Sequence, residues 1–103
     1  YRELLTWTRD ALPNSRFVLL DPFVCPNVSG RDAFVPELIE RRKVVAELAK
    51  EFNAVHIPLQ DIFNEAFKRA PEAHWSADGV HPTPAGHQLI TDAWLKATAQ
   101  LFR

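Results

Sequence analysis

The sequence predicts an α/β layered domain built on a parallel sheet. Stretches with strand character alternate with helical ones, the order produced by parallel crossovers. The first strand-like stretch, residues 17–20, is apolar at every position, as in a strand covered on both faces. Only two strands are legible, fewer than the five or six of a doubly wound sheet. The expectation is therefore two parallel strands with flanking helices, the C-terminal half of a domain whose first strands lie elsewhere.

Residues 2–12 place Leu4, Leu5, Thr8, Ala11 and Leu12 on one helical face, and Pro13 with Asn14 ends that helix. Residues 16–21, RFVLLD, form the first strand. Residues 22–34 are rich in Pro, Gly, Asn and Ser and read as loop. Residues 36–53 give the clearest helix, with Leu38, Val45, Leu48, Ala49 and Phe52 as its buried stripe. Glu37 and Arg41 sit outside it at the supportive i,i+4 spacing. Residues 54–59, AVHIPL, form the second strand. A short helix over 61–70 turns Ile62, Phe63, Ala66, Phe67 and Ala70 inward. After a loop over 71–83, a last helix over 84–102 buries Ile90, Ala93, Trp94, Ala97 and Leu101.

The 103 residues fit one small domain spanning 1–103, with no internal repeat and no low-complexity tract. Twelve Lys and Arg against thirteen Asp and Glu leave a net charge of -1. No basic patch argues for nucleic acid, and no basic amphipathic helix for a membrane surface. No apolar run approaches the roughly 20 residues of a membrane span. A single cysteine, Cys25, rules out an internal disulfide and leaves the compartment open. The sequence starts at Tyr1 and contains no methionine, so the expectation is a piece of a longer or processed chain.

The chemistry concentrates in WSADGVHPTPAGH, residues 75–87. A hydroxyl nucleophile needs a base with a pKa near neutrality, which imidazole supplies. The imidazole in turn needs a carboxylate on its other nitrogen to fix tautomer and orientation. Asp78 and His81 meet both needs within one turn. Gly79 frees the backbone between them, and Pro82 restricts His81 to extended dihedrals. Thr83 suits an N-cap and Pro84 the first helical position, which anchors the turn to the last helix. Trp75, just upstream, is placed to wall the site from water. The plainer alternative is an Asx-turn at Asp78–Gly79 beside a surface histidine.

The stretch DGVHPTPAGHQLITDAW resembles the final block of the SGNH (GDSL) hydrolases, D-G-x-H-P-[ST]-x-x-G followed by a helix, with Asp78, Gly79, His81, Pro82, Thr83 and Gly86 in place. YRELLTWTRDALPNSRFVLLDPF and AVHIPLQDIF are similar to the helix and strands that precede that block, so the resemblance covers nearly the whole chain. It implies a three-layer α/β/α, flavodoxin-like domain of which residues 1–103 are the C-terminal portion. It also implies a serine ester hydrolase in which His81 is the base, Asp78 orients it, and no cofactor is needed. The family's G-D-S nucleophile motif, its oxyanion-hole glycine and its G-x-N-D asparagine do not occur in this sequence. None of Ser15, Ser29 and Ser76 follows Gly-Asp. The nucleophile would belong to an N-terminal half outside this chain, and the chain alone is expected to be inactive.

Other residues have simpler readings. Asp21, Phe23 and Cys25 follow the first strand, where ligands of open α/β sheets bind, so Phe23 joins Trp75 as a candidate substrate contact. Cys25 is otherwise a packing thiol, and Asp61 a helix N-cap. His56 is a packed or hydrogen-bonded strand histidine, His74 lines the mouth of the turn or is solvated, and His87 is exposed. No metal site is expected from Asp78, His81 and His87, whose spacing matches no zinc signature. Two hypotheses lead, with a metal-dependent phosphoesterase a distant third. Either the chain is part of an enzyme cleaving a small-molecule acyl ester, or it is a non-catalytic half-domain that pairs with a partner. In both, the apolar strand edge at residues 17–20 calls for the missing half or for self-association.

Overall fold

A computed structural model describes residues 1–102. Helix α1, Arg2–Ala11, leads into strand β1, Val18–Leu20. A loop closing in a 3-10 turn, Arg31–Phe34, precedes α2, Val35–Glu51, which returns to strand β2, Val55–Ile57. Then come α3, Leu59–Ala66; a single helical turn α4, Glu72–Trp75; and α5, Pro84–Thr98, which tightens into a 3-10 turn over Ala99–Phe102.

The two strands pair in parallel, with Val18 opposite Val55, Leu19 opposite His56 and Leu20 opposite Ile57. Side chains alternate across a sheet with period two, and the packing follows that alternation. Leu19 points to one face and packs with Leu5 of α1 and Val45, Leu48 and Ala49 of α2. Val18, Leu20, Val55 and Ile57 point to the other, where Leu59, Phe63 and Ala66 of α3, Trp75 and the inner side of α5 cover them. Helices thus lie on both faces of a parallel sheet, the α/β/α layering expected from the continuous apolar strand.

The chain enters β2 through a Schellman turn. Asn53 takes a left-handed φ of 51°. The Ala54 N–H donates to the Ala49 carbonyl and the Asn53 N–H to the Lys50 carbonyl, closing the helix end in the usual 6→1 and 5→2 pattern. Helix α2 therefore stops at Glu51, earlier than its apolar periodicity suggests.

Several expectations are corrected. Of the stripe predicted on α1 only Leu5 is buried, while Leu4 and Leu12 are exposed. On α5 Trp94 is exposed, and Leu89 joins Ile90, Ala93 and Ala97 against the sheet instead. Two strands about 4.8 Å apart make a floor narrower than one helix of about 10 Å diameter, so each covering helix contacts it along a thin line. Asp61 is no N-cap: Pro58 precedes the first residue of α3, and the Asp61 carboxylate accepts from Arg42 at 2.9 Å. The loop predicted over 71–83 contains α4, and the loop over 22–34 contains the 3-10 turn.

Candidate active site

The turn between α4 and α5 is fastened at both ends. Ser76 and Pro82 form an isolated antiparallel bridge. Thr83 caps α5: its Oγ1 accepts from the Gly86 N–H at 3.2 Å and donates to the His74 carbonyl at 2.7 Å. Pro84 follows at the first helical position, where its missing N–H costs nothing. Gly86 lets α5 start against α4, since a Cβ there would lie 2.3 Å from the Trp75 carbonyl oxygen.

Inside this frame Asp78 and His81 form a closed pair. His81 Nδ1 lies 2.6 Å from Asp78 Oδ2. The other carboxylate oxygen, Oδ1, accepts from the His81 N–H at 2.8 Å and from the Val80 N–H at 3.0 Å. These backbone donors, His81 first, and then the imidazole hold the Asp78 carboxyl well below the usual carboxylate range. Asp78 is therefore an anion at neutral pH and well into the acid range. With Nδ1 on the carboxylate, Nε2 faces away from it, and the His81 side chain is 83% exposed.

Sequence reasoning missed two residues that shape the turn. Ser76 is fully buried, accepts from the Gly79 N–H at 2.9 Å and donates to the His81 carbonyl at 2.8 Å. Its hydroxyl is thereby committed to the turn. Arg31 reaches in from the loop after β1, and its Nε–H donates to the Asp78 carbonyl at 2.9 Å. The adjacent Gly79 carbonyl accepts from the Cys25 N–H at 2.9 Å. Because that loop leaves the carboxyl end of β1, the Asp78–His81 turn stands at the same end of the sheet. No local spacing signals either contact, since Arg31 and Asp78 are 47 positions apart.

The two candidate substrate contacts lie on different levels. Phe23 stacks on Phe63 at 4.1 Å and lines an open cleft of about 260 Å³ with Val24, Phe34, Leu38 and Val80, which brings the cleft up to the residue before His81. Trp75 is 8% exposed; it sits in the apolar cluster beneath the turn, and its Nε1–H donates to the Ala70 carbonyl. Cys25 is buried beside the turn, and burial, with the Glu72 charge nearby, pushes its thiol up to about 11. His56 meets Asp21 rather than the turn, while His74 and His87 are exposed. Among the described residues no three His, Cys, Asp or Glu side chains gather as metal ligands, and no helix is long and apolar enough to cross a membrane.

Fold and site together define part of a layered α/β domain that presents a carboxylate–imidazole pair at the carboxyl end of its parallel strands. The chain belongs to the GDSL-like lipase/acylhydrolase family, whose model matches residues 1–89. An acetylxylan esterase from Geobacillus stearothermophilus is 30% identical over 79 residues, which cover 77% of this chain and 36% of the relative. A crystal structure described as a GDSL-like lipase from Parabacteroides merdae superposes with a TM-score of 0.90 at 39% identity, over 95% of this chain and 46% of that one. The crystal structure of an acetylxylan esterase from Geobacillus stearothermophilus does so with a TM-score of 0.78 at 28% identity, over 93% and 42%. An α/β hydrolase from the metagenome of Lake Arreo gives 0.81 at 26% identity, over 95% and 44%. The chain thus spans about a third of the curated relative and under half of these solved chains.

Proposed function

We propose that this chain supplies the acid and the base of a serine ester hydrolase. The nucleophilic serine and the oxyanion donors would come from the remainder of the domain. The serine Oγ attacks the ester carbonyl carbon while His81 Nε2 takes its proton. The same proton passes to the leaving alcohol as the tetrahedral intermediate collapses. Asp78 holds the Nδ1–H and stabilises the imidazolium formed in between. Water then repeats the cycle on the acyl-enzyme. The observation that carries the reading is the 2.6 Å contact between Asp78 Oδ2 and His81 Nδ1, with Nε2 turned outward.

The substrate is a small acyl ester. Relatives described as acetylxylan esterases support an acetylated carbohydrate as one such substrate. Phe23 forms a wall of the substrate cleft beside Val80, and Trp75 backs the turn from below. The partner is the rest of the same domain, docked on the outer edge of β1. Tyr1, Leu20, Pro22, Val44 and Val45 line a hollow there together with the charged Asp21 and Arg41, and Leu4 and Trp7 of α1 are exposed. A chain spanning under half of its solved relatives fits that arrangement. The test is hydrolysis of p-nitrophenyl acetate by the intact protein and by its His81→Ala variant. Turnover by the parent and its loss in the variant is the expected result; an unaffected variant removes His81 from the chemistry.

A further inference from the structure

We propose that Arg31 is a positioning residue for the Asp78–His81 pair, a role that rests on the hydrolase reading above. Asp78 and His81 are close in sequence, yet their alignment depends on the plane of the peptide between Asp78 and Gly79. Rotating that plane swings the Val80 and His81 N–H groups relative to Asp78 Oδ1, and with them the imidazole relative to Oδ2. Arg31 fixes the plane from outside, through the Nε–H bond of 2.9 Å to the Asp78 carbonyl. Its stem completes the hold. A Cβ built on Gly79 would lie 2.4 Å from Arg31 Cγ, so the arginine packs in the space that a side chain there would take.

Arg31 is itself well anchored. Its guanidinium lies 5.4 Å above the Phe34 ring. Its N–H donates to the Val28 carbonyl at 3.2 Å, and the Val28 N–H donates to the Cys25 carbonyl at 3.1 Å. Cys25 in turn donates its N–H to the Gly79 carbonyl. Two consecutive carbonyls of the catalytic turn, those of Asp78 and Gly79, are thus tied to one internally bonded loop. Arg31 supplies the only side chain in that tie. It acts through the backbone and does not reach the reacting atoms.

Two near-isosteric variants separate the hydrogen bond from bulk and charge. Arg31→Gln places an amide N–H at the position of Nε and removes the charge. Arg31→Met keeps the apolar stem and removes the donor. In the intact protein, R31M should lower kcat for p-nitrophenyl acetate roughly tenfold, the worth of one hydrogen bond. KM should stay within about twofold, because Arg31 does not touch substrate. R31Q should keep kcat within about threefold of the parent. A second readout needs no activity: the His81 Nδ1 proton, followed by NMR, should exchange with water faster in R31M and at the parental rate in R31Q. If the parent cleaves no ester, the hydrolase reading fails while this signal still tests the positioning role. The proposal is overturned by R31M matching the parent in kcat or in proton exchange, by R31Q falling as far as R31M, or by an R31M protein that does not fold.

Discussion

His56 Nε2 lies 2.6 Å from Asp21 Oδ1, the same separation at which His81 Nδ1 meets Asp78 Oδ2. The two pairs share their chemistry and differ in everything around it. Asp21 is enclosed, its side chain 1% exposed, and its second oxygen accepts from Arg42 Nε at 3.1 Å. Arg42 goes on to Asp61, so one chain of contacts fastens the end of β1 to β2, α2 and α3. Both carboxylates use both oxygens, and what separates the pairs is exposure: the His56 and Asp21 side chains are 30% and 1% exposed, those of His81 and Asp78 83% and 42%.

That contrast gives a paired prediction. Asp21→Asn weakens both of its contacts and should cost the intact protein about 1–3 kcal/mol of stability, with kcat little changed. Asp78→Asn should leave the melting temperature nearly intact and lower kcat by several orders of magnitude, since an amide favours the wrong imidazole tautomer. Thermal unfolding and ester hydrolysis, measured on both variants, check the separation. Equal effects of the two substitutions on both readouts would contradict it.

The acid limb of the rate profile should report one proton. Asp78 titrates below its ordinary value of 3.8 in the folded protein. A depressed folded value means that its contribution is complete above that ordinary value and fades only as pH falls below it. From neutrality down to about pH 4, the Asp78 carboxylate therefore stays ionised and adds no proton of its own to that limb. A plot of log kcat/KM against pH should fall with unit slope in that range. A slope of two would show a second essential group.

Gly79→Ala should damage the turn. Gly79 has φ of 93°, and an added Cβ would approach the Val28 carbonyl oxygen at 2.9 Å as well as Arg31. Backbone strain of this kind costs about 1–3 kcal/mol. Both melting temperature and kcat should drop, because relief of the clash pushes the loop after β1 off the turn. An alanine variant equal to the parent in both would refute this account.

Cys25 should be inert in the native protein. With its thiol pushed up to about 11, it stays protonated at neutral pH, and burial keeps reagents out. Labelling with a thiol-reactive dye should be at least about a hundredfold faster in denaturant than in buffer. Rapid native labelling would place the thiol at the surface.

The 103-residue chain produced alone should self-associate or aggregate. Among the described residues β1 pairs with β2 on one side only, which leaves its other edge as a template for a further strand. Sedimentation velocity decides this, and a monodisperse monomer with a cooperative thermal transition would count against it.

What the sequence revealed followed from local rules. Continuous apolar residues marked β1, and Asp78, Gly79, His81 and Pro82 marked the turn, because a three-residue separation is visible on the page. Thr83 and Pro84 announced the start of α5 in the same way. The rest depends on which distant residues the sheet brings together. Arg31 on the Asp78 carbonyl and Arg42 between Asp21 and Asp61 have no spacing to betray them. Trp94 and Leu4 look like core by periodicity, and their exposure reflects the width of the sheet beneath them, which helical period does not encode.

The fastening of the turn also implies an order of assembly. The bonds among Ser76, Asp78, Gly79 and His81 join residues at most five positions apart. Contacts this local close quickly and at small entropic cost, so the Asp78–His81 geometry can be sketched while the chain is still largely unfolded. The ties from Arg31 and Cys25 span about half the chain and must wait for the loop after β1 to dock. Folding therefore writes the pair in two strokes, a fast local draft and a slow tertiary correction.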